Sequence, residues 1–202
     1  MHVCHLCDGS LGTEYFRNIT IGLVDAGIDV SLLELRSAAP PSWLRESPGV
    51  QFKALHATSP FHTVSALWSL RRFLAGKGVN ILHSHLYNAS LLAALSRTVS
   101  QRPRFVMTRH HTSSVALSGS RPHLLMDRWM AKRADHVIAV SDAVRSYIRD
   151  VDRVERDDIE VVYLGFDFSR FDRAISERWR VRSEFGFGKD EIVLGYVGNI
   201  LP

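Results

Sequence analysis

Apolar and polar positions follow two rhythms along this chain. Short apolar runs recur at 1–7 (MHVCHLC), 29–35 (DVSLLEL), 50–55 (VQFKAL), 79–85 (VNILHSH), 104–109 (RFVMTR), 136–140 (HVIAV) and 159–164 (IEVVYL). They are rich in Val, Ile and Leu and predict strands. Between most of them lie longer stretches with apolar residues at helical spacing. The stretch 13–27 carries Phe16, Ile19, Leu23 and Val24, with Gly27 as a stop; 62–78 ends on glycines; 89–100, 123–134 and 141–150 follow, the last opened by Ser141 as N-cap. Strands alternating with helices predict an α/β domain, a doubly wound and mostly parallel sheet covered on both faces. The right-handed crossover rule fixes how successive units stack.

The rhythm changes after residue 165. A loop with a short helical turn (GFDFSRFD) leads to a basic amphipathic helix at 177–187 and then to a new apolar run, Ile192–Val197, before Gly198 and Asn199. The sequence therefore predicts an N-terminal domain over 1–172 and, over 173–202, a linker helix with the first strand of a second domain that is cut short.

Composition narrows the function classes. Of 202 residues, 46% are hydrophobic and 23% charged, which is globular; the 25 Lys and Arg against 21 Asp and Glu give +4. This mild excess suits an anionic ligand, a membrane surface or a plain solvated exterior, and no nucleic-acid partner is expected. The two cysteines, Cys4 and Cys7, make no disulfide framework and indicate a reducing compartment. They lie beside His2 and His5, but the C-x-x-C has no second half, so a buried first strand is the reading and no metal is expected. No apolar run approaches the roughly 18–20 residues of a spanning helix. The expected location is cytoplasmic, with peripheral membrane contact left open through the basic segment 119–134, which carries Arg121, Arg128, Lys132 and Arg133.

In open α/β sheets ligands bind beyond the carboxyl ends of the strands, and the unusual residues of this chain gather there. The first such loop, DGSLGTE (8–14), offers Gly9 and Gly12 just before a helix whose N-terminus favours an anion, with Ser10 or Thr13 as cap. It is not the G-x-G-x-x-G fingerprint, although Glu34 lies where a ribose-binding acid would sit, which keeps a nicotinamide-dependent oxidoreductase open. His83 and His85 share a strand face, His85 being the one placed to reach a crevice and His83 to pack within the layer. In TRHHTSS (108–114), His110 and His111 point to opposite sides, so at most one faces a ligand. Imidazole suits proton transfer near neutrality. Ser141–Asp142 and Gly165 with Asp167 complete the rim. No G-x-S-x-G elbow is present, which argues against a serine hydrolase.

Taken together, ADHVIAVSDAVRSYI, IEVVYLGFDFSRF, RSEFGF and IVLGYVGN resemble the N-terminal part of retaining glycosyltransferases of family four, with the GT-B fold. GTE at 12–14 resembles that family's Gly-Gly-x-Glu loop, and HSHLYNAS and TRHHTSS fall where it places two histidine-bearing loops. The resemblance implies transfer of a sugar from a nucleotide-sugar donor to a saccharide or lipid-linked acceptor, as in polysaccharide biosynthesis, with no metal or other cofactor. It places Gly12 and Thr13 near the donor diphosphate and His111 at the transferred sugar as the catalytic imidazole, with His110 supporting or buried. His85, Asn88, Thr112 and Ser113 fall on the acceptor side, and Ser141, Gly198 and Asn199 are further candidates. Leu11, Leu164 and Asn199 depart from the family pattern. A Rossmann-like nucleotide-binding module without catalysis remains the alternative.

Overall fold

The computed structural model describes residues 1–9, 11–36, 39–57, 59–98, 102–110, 121–154, 156–166 and 168–196. The chain divides into two compact units, Met1–Gly165 and Phe166–Pro202. The sequence places its boundary after 172, within the helix formed by Ser169–Ser176.

In the first unit seven strands form one sheet: β1 (His2–Cys7), β2 (Asp29–Glu34), β3 (Gln51–Ala54), β4 (Ile81–His85), β5 (Arg104–Arg109), β6 (His136–Ala139) and β7 (Ile159–Val161). Their order is β3-β2-β1-β4-β5-β6-β7, and every pairing is parallel. Five helices of this unit are described: α1 (Glu14–Asp25), α2 (Thr63–Gly76), α3 (Tyr87–Ser96), α4 (Arg121–Arg133) and α5 (Asp142–Asp150). Each expected strand and helix of this unit is present within a few residues of its expected ends. Two 3-10 turns, Ser42–Glu46 and Pro60–His62, lie in the β2–β3 and β3–α2 connections, where no such element is expected.

Local chemistry explains the ends. Gly27 closes α1 in the left-handed region, φ +74°, and Gly78 ends α2 at φ +61°. Ser141 caps α5: its Oγ accepts the Val144 amide at 3.2 Å. The pleat sends alternate residues to opposite faces. Cys4, Leu6, Leu33, Leu82, Phe105, Met107, Val137 and Ala139 pack with Ala66, Leu70 and Leu74 of α2, Ala93 of α3, Met130 of α4 and Ile148 of α5. On the other side, Cys7, Val30 and Leu32 pack against Phe16 of α1 and Trp43. Both faces are covered, so the strands read as near-continuous apolar runs. Cys4 and Cys7 are buried and free, as a buried first strand requires.

The second unit contains α6 (Ser169–Ser176) and α7 (Arg178–Glu184). The strand expected at Ile192–Val197 is not formed over the described residues 192–196, where Ile192 and Leu194 are over nine-tenths exposed. A strand needs a neighbour to complete its ladder, and among the described residues none pairs with this stretch.

Candidate functional site

Strand order reverses between β1 and β4, because β2 and β3 lie on one side of β1 while β4 to β7 extend on the other. The carboxyl ends of β1 and β4 therefore flank the topological switch point, where sheets of this class bind their ligands. Three connections meet there. After β1 the chain turns through Asp8 and Gly9, whose φ of +81° favours glycine. Gly12 and Thr13 follow at the N-terminus of α1, with Thr13 in the N-cap position. A Cβ on Gly12 would meet no atom within 4 Å, so packing does not require glycine there and the backbone is open to close approach.

Buried polar groups hold this turn. Glu34, at the end of β2 and 2% exposed, accepts the Gly9 amide on Oε1 at 2.6 Å and the Arg36 amide at 3.5 Å. Its pKa is raised, burial outweighing those amide bonds. A carboxylate committed to the turn beneath it is not placed to read a ribose, and the nicotinamide reading of Glu34 is corrected accordingly. Asp8 pairs with Arg36 at 2.7 Å and accepts the Asn88 side-chain amide at 2.6 Å, tying the ends of β1, β2 and β4 together. Beside this tie a cleft of about 280 Å³ is lined by Arg36, Ser59, Thr63 and Asn88 over an apolar floor of Leu91 and Leu92.

A column of imidazoles lies under the rim. His5 of β1 is in register with His83 of β4, and His85 stands two residues further along the same face. His5 Nδ1 and His85 Nε2 are hydrogen-bonded at 3.0 Å, and His85 Nδ1 and His110 Nε2 at 3.1 Å; His83 Nε2 bonds the Thr108 hydroxyl at 2.7 Å. Burial holds these rings neutral: His5 is lowered to about 4, and His83 and His85 lie well below the ordinary value. His85 is fully buried, so it does not itself line a crevice as the sequence suggests; a second shell of rings covers it. Tyr15 stands edge-on to His110 at 5.1 Å and to His85 at 5.8 Å, and Phe16 edge-on to His85 at 4.7 Å. Tyr15 is pushed up to about 12 by burial and by Cys7. Half-buried His110, at the end of β5, is thus the ring of this column nearest the rim.

Leu86, directly after His85, adopts φ +70°, ψ 166° at the start of α3, a region that non-glycine residues rarely occupy and that concentrates at functional sites. Behind β5, Arg109 pairs with Asp127 of α4 at 2.6 Å and with Asp152 at 3.2 Å, both carboxylates being buried. Asp152 is raised to about 6, chiefly by burial, against the pull of Arg109. Arg128 also turns inward and donates to the Asp152 carbonyl, so it is not part of a free basic face. Ser141 spends its hydroxyl on the α5 cap.

The structure thus gathers Gly12, Thr13, Asn88 and His110 around the β1/β4 switch point, with His85 buried beneath them. His111, Thr112 and Ser113, and Gly198 and Asn199, lie outside the described residues. Sequence reasoning named His5 only beside the cysteines of a buried first strand, and did not find Tyr15, Glu34 in its tethering role, or the Arg109–Asp127–Asp152 group. Alternation marks His5 as inward-facing, but only the β1–β4 pairing brings it to His83 and His85.

The fold is that of one half of a GT-B glycosyltransferase. The family model described as Glycosyltransferase Family 4 matches residues 12–170, and the chain belongs to that family. No curated protein matches the chain. Among solved structures, sucrose-phosphate synthase from Thermosynechococcus elongatus is 16% identical with a TM-score of 0.72, covering 95% of this chain and 54% of its own. A glycosyltransferase from Rickettsia africae is 13% identical with a TM-score of 0.64, covering 94% and 50%. Anabaena HepE in complex with UDP and glucose is 19% identical with a TM-score of 0.66, covering 92% and 50%. At these identities the likeness is one of fold. The chain spans about half the length of each of these structures. Among the described residues, no helix is long and apolar enough to cross a membrane.

Proposed function

We propose that this chain is the acceptor-side half of a retaining, hexosyltransferase-type enzyme that moves a sugar from a nucleotide-sugar donor to a saccharide or lipid-linked acceptor. The observation that carries the reading is the meeting of the α1 N-terminus and the histidine-bearing end of β5 at the switch point, where Tyr15 and His110 touch edge-on at 5.1 Å. Breaking a glycosyl–phosphate bond builds negative charge on the leaving diphosphate. Backbone N–H groups at Gly12 and Thr13, at the positive end of α1, are suited to receive that charge. His111 follows His110 directly and acts on the transferred sugar, while His85 and His5 support His110 from below. The cleft beside Asn88 and Arg36 receives the acceptor. The transfer uses no metal or organic cofactor. If the acceptor is lipid-linked, exposed Leu125 and Met126 on α4, with Lys132, supply peripheral membrane contact at the cytoplasmic face; flotation with vesicles independent of anionic lipid would remove that part.

The chain by itself is expected to bind donor weakly and turn over negligibly, since it spans half of its structural relatives. The test is a screen of nucleotide sugars with the whole protein, reading product stereochemistry by NMR. Transfer with the donor's anomeric configuration kept supports the reading. Nucleotide binding with no transfer to any acceptor favours the non-catalytic module, and an inverted product overturns retention.

A further inference from the structure

We propose that His5, His83 and His85 form a three-histidine site for a late first-row divalent cation, Zn²⁺ in the first instance, that clamps β1 to β4 beneath the rim and takes a water molecule as its fourth ligand. A ring nitrogen of each lies within 4.8 Å of a ring nitrogen of the other two. The ring centroids stand 5.0 Å (His5–His83), 5.2 Å (His5–His85) and 4.2 Å (His83–His85) apart. All three are buried, and buried imidazole is neutral, which is the form that binds metal.

Two of the rings already have the outer partner that fixes a metal-binding histidine. Thr108 Oγ1 meets His83 Nε2 at 2.7 Å and His110 Nε2 meets His85 Nδ1 at 3.1 Å, leaving His83 Nδ1 and His85 Nε2 for an ion. His5 offers Nδ1, which meets His85 Nε2 at 3.0 Å. Nitrogens bound to one Zn²⁺ at about 2.0–2.1 Å in a tetrahedron stand roughly 3.3–3.4 Å apart. The 3.0 Å His5–His85 separation is within a few tenths of an ångström of that, and all three ring nitrogens lie within 4.8 Å of one another, so binding draws the His83 ring toward the other two. Three imidazoles walled by Phe16 and Tyr15, with no carboxylate in the cluster, form a nitrogen donor set that selects Zn²⁺, Co²⁺, Ni²⁺ or Cu²⁺ over Mg²⁺ and Ca²⁺. The site carries no step of sugar transfer and does not depend on that reading.

The test uses untagged protein, stripped with chelator, titrated with Zn²⁺ by calorimetry and with Co²⁺ by visible absorption. One ion per chain, a tetrahedral Co²⁺ spectrum and a higher Tm are expected. His5→Phe and His83→Ala should abolish that ion, and Thr108→Val, which removes only an outer partner, should weaken it about 10–100-fold. Replacing exposed His56 and His123 with Ala should leave it unchanged. No stoichiometric binding by the wild-type protein, or binding lost with His56 and His123 but kept in His5→Phe, would overturn the proposal. The wild-type titration decides the matter even if a core variant fails to fold.

Discussion

Replacing Asp152 with Asn should make the protein more stable at neutral pH, although it removes one partner of an ion pair. Asp152 and Asp127 share the single guanidinium of Arg109, at 3.2 and 2.6 Å, and both carboxylates are buried. Burial raises Asp152 from 3.8 to about 6 despite Arg109. A group whose folded pKa lies above its unfolded one binds more protons in the folded state, so its contribution is fully present below about pH 4 and is lost as pH rises to about 6. Two units at about 1.4 kcal/mol each put the loss at about 3 kcal/mol by pH 7. Asn keeps the neutral shape, and Asp127 remains to balance Arg109. The Asp152 carbonyl still accepts from Arg128. Urea unfolding followed by tryptophan fluorescence between pH 4 and 7.5 should show the two proteins converging at the acid end, with the variant ahead by up to about 3 kcal/mol at neutrality. Parallel curves, or a variant that is less stable at pH 7, would mean that the Arg109 pair outweighs desolvation.

Other substitutions probe the packing and the turns. Phe16→Ala removes a ring that is 2% exposed and wedged against His85, and should cost about 3–5 kcal/mol in the same assay. Ser141→Ala should cost about 1 kcal/mol through loss of the α5 cap, whereas Ser141→Asn should be nearly neutral. Glu34→Leu removes the acceptor of the Gly9 amide and should cost about 1 kcal/mol, with Glu34→Gln milder because an amide oxygen still accepts; an equal loss in both would mean that the charge, not the bond, matters.

The strands and helices of the first unit were legible because their periods are local. Leu70 and Leu74 of α2 lie one turn apart and both are buried, and β1 and β2 are nearly continuous apolar runs because both sheet faces are covered. Strand order was not legible. Nothing local says that β4 returns to β1 across the switch point, and that return alone makes His5 the register partner of His83. Glu34 shows the same limit: its place at a strand end suggested a ligand acid, and only the bond to Gly9 reveals a tether. The run 192–196 has a strand's composition, yet a strand is a property of two chain segments, and among the described residues that run has one of the two.

The most direct trial of the account is kinetic: His111→Ala in the whole protein, with sugar transfer followed under donor saturation and Tm recorded alongside. A proton-handling imidazole at the reacting sugar predicts a fall in kcat of roughly 10²–10⁴-fold with the fold intact. Unchanged kcat in a folded variant would remove His111 from the chemistry and, with it, the claim that the end of β5 and the α1 N-terminus serve one bound sugar diphosphate.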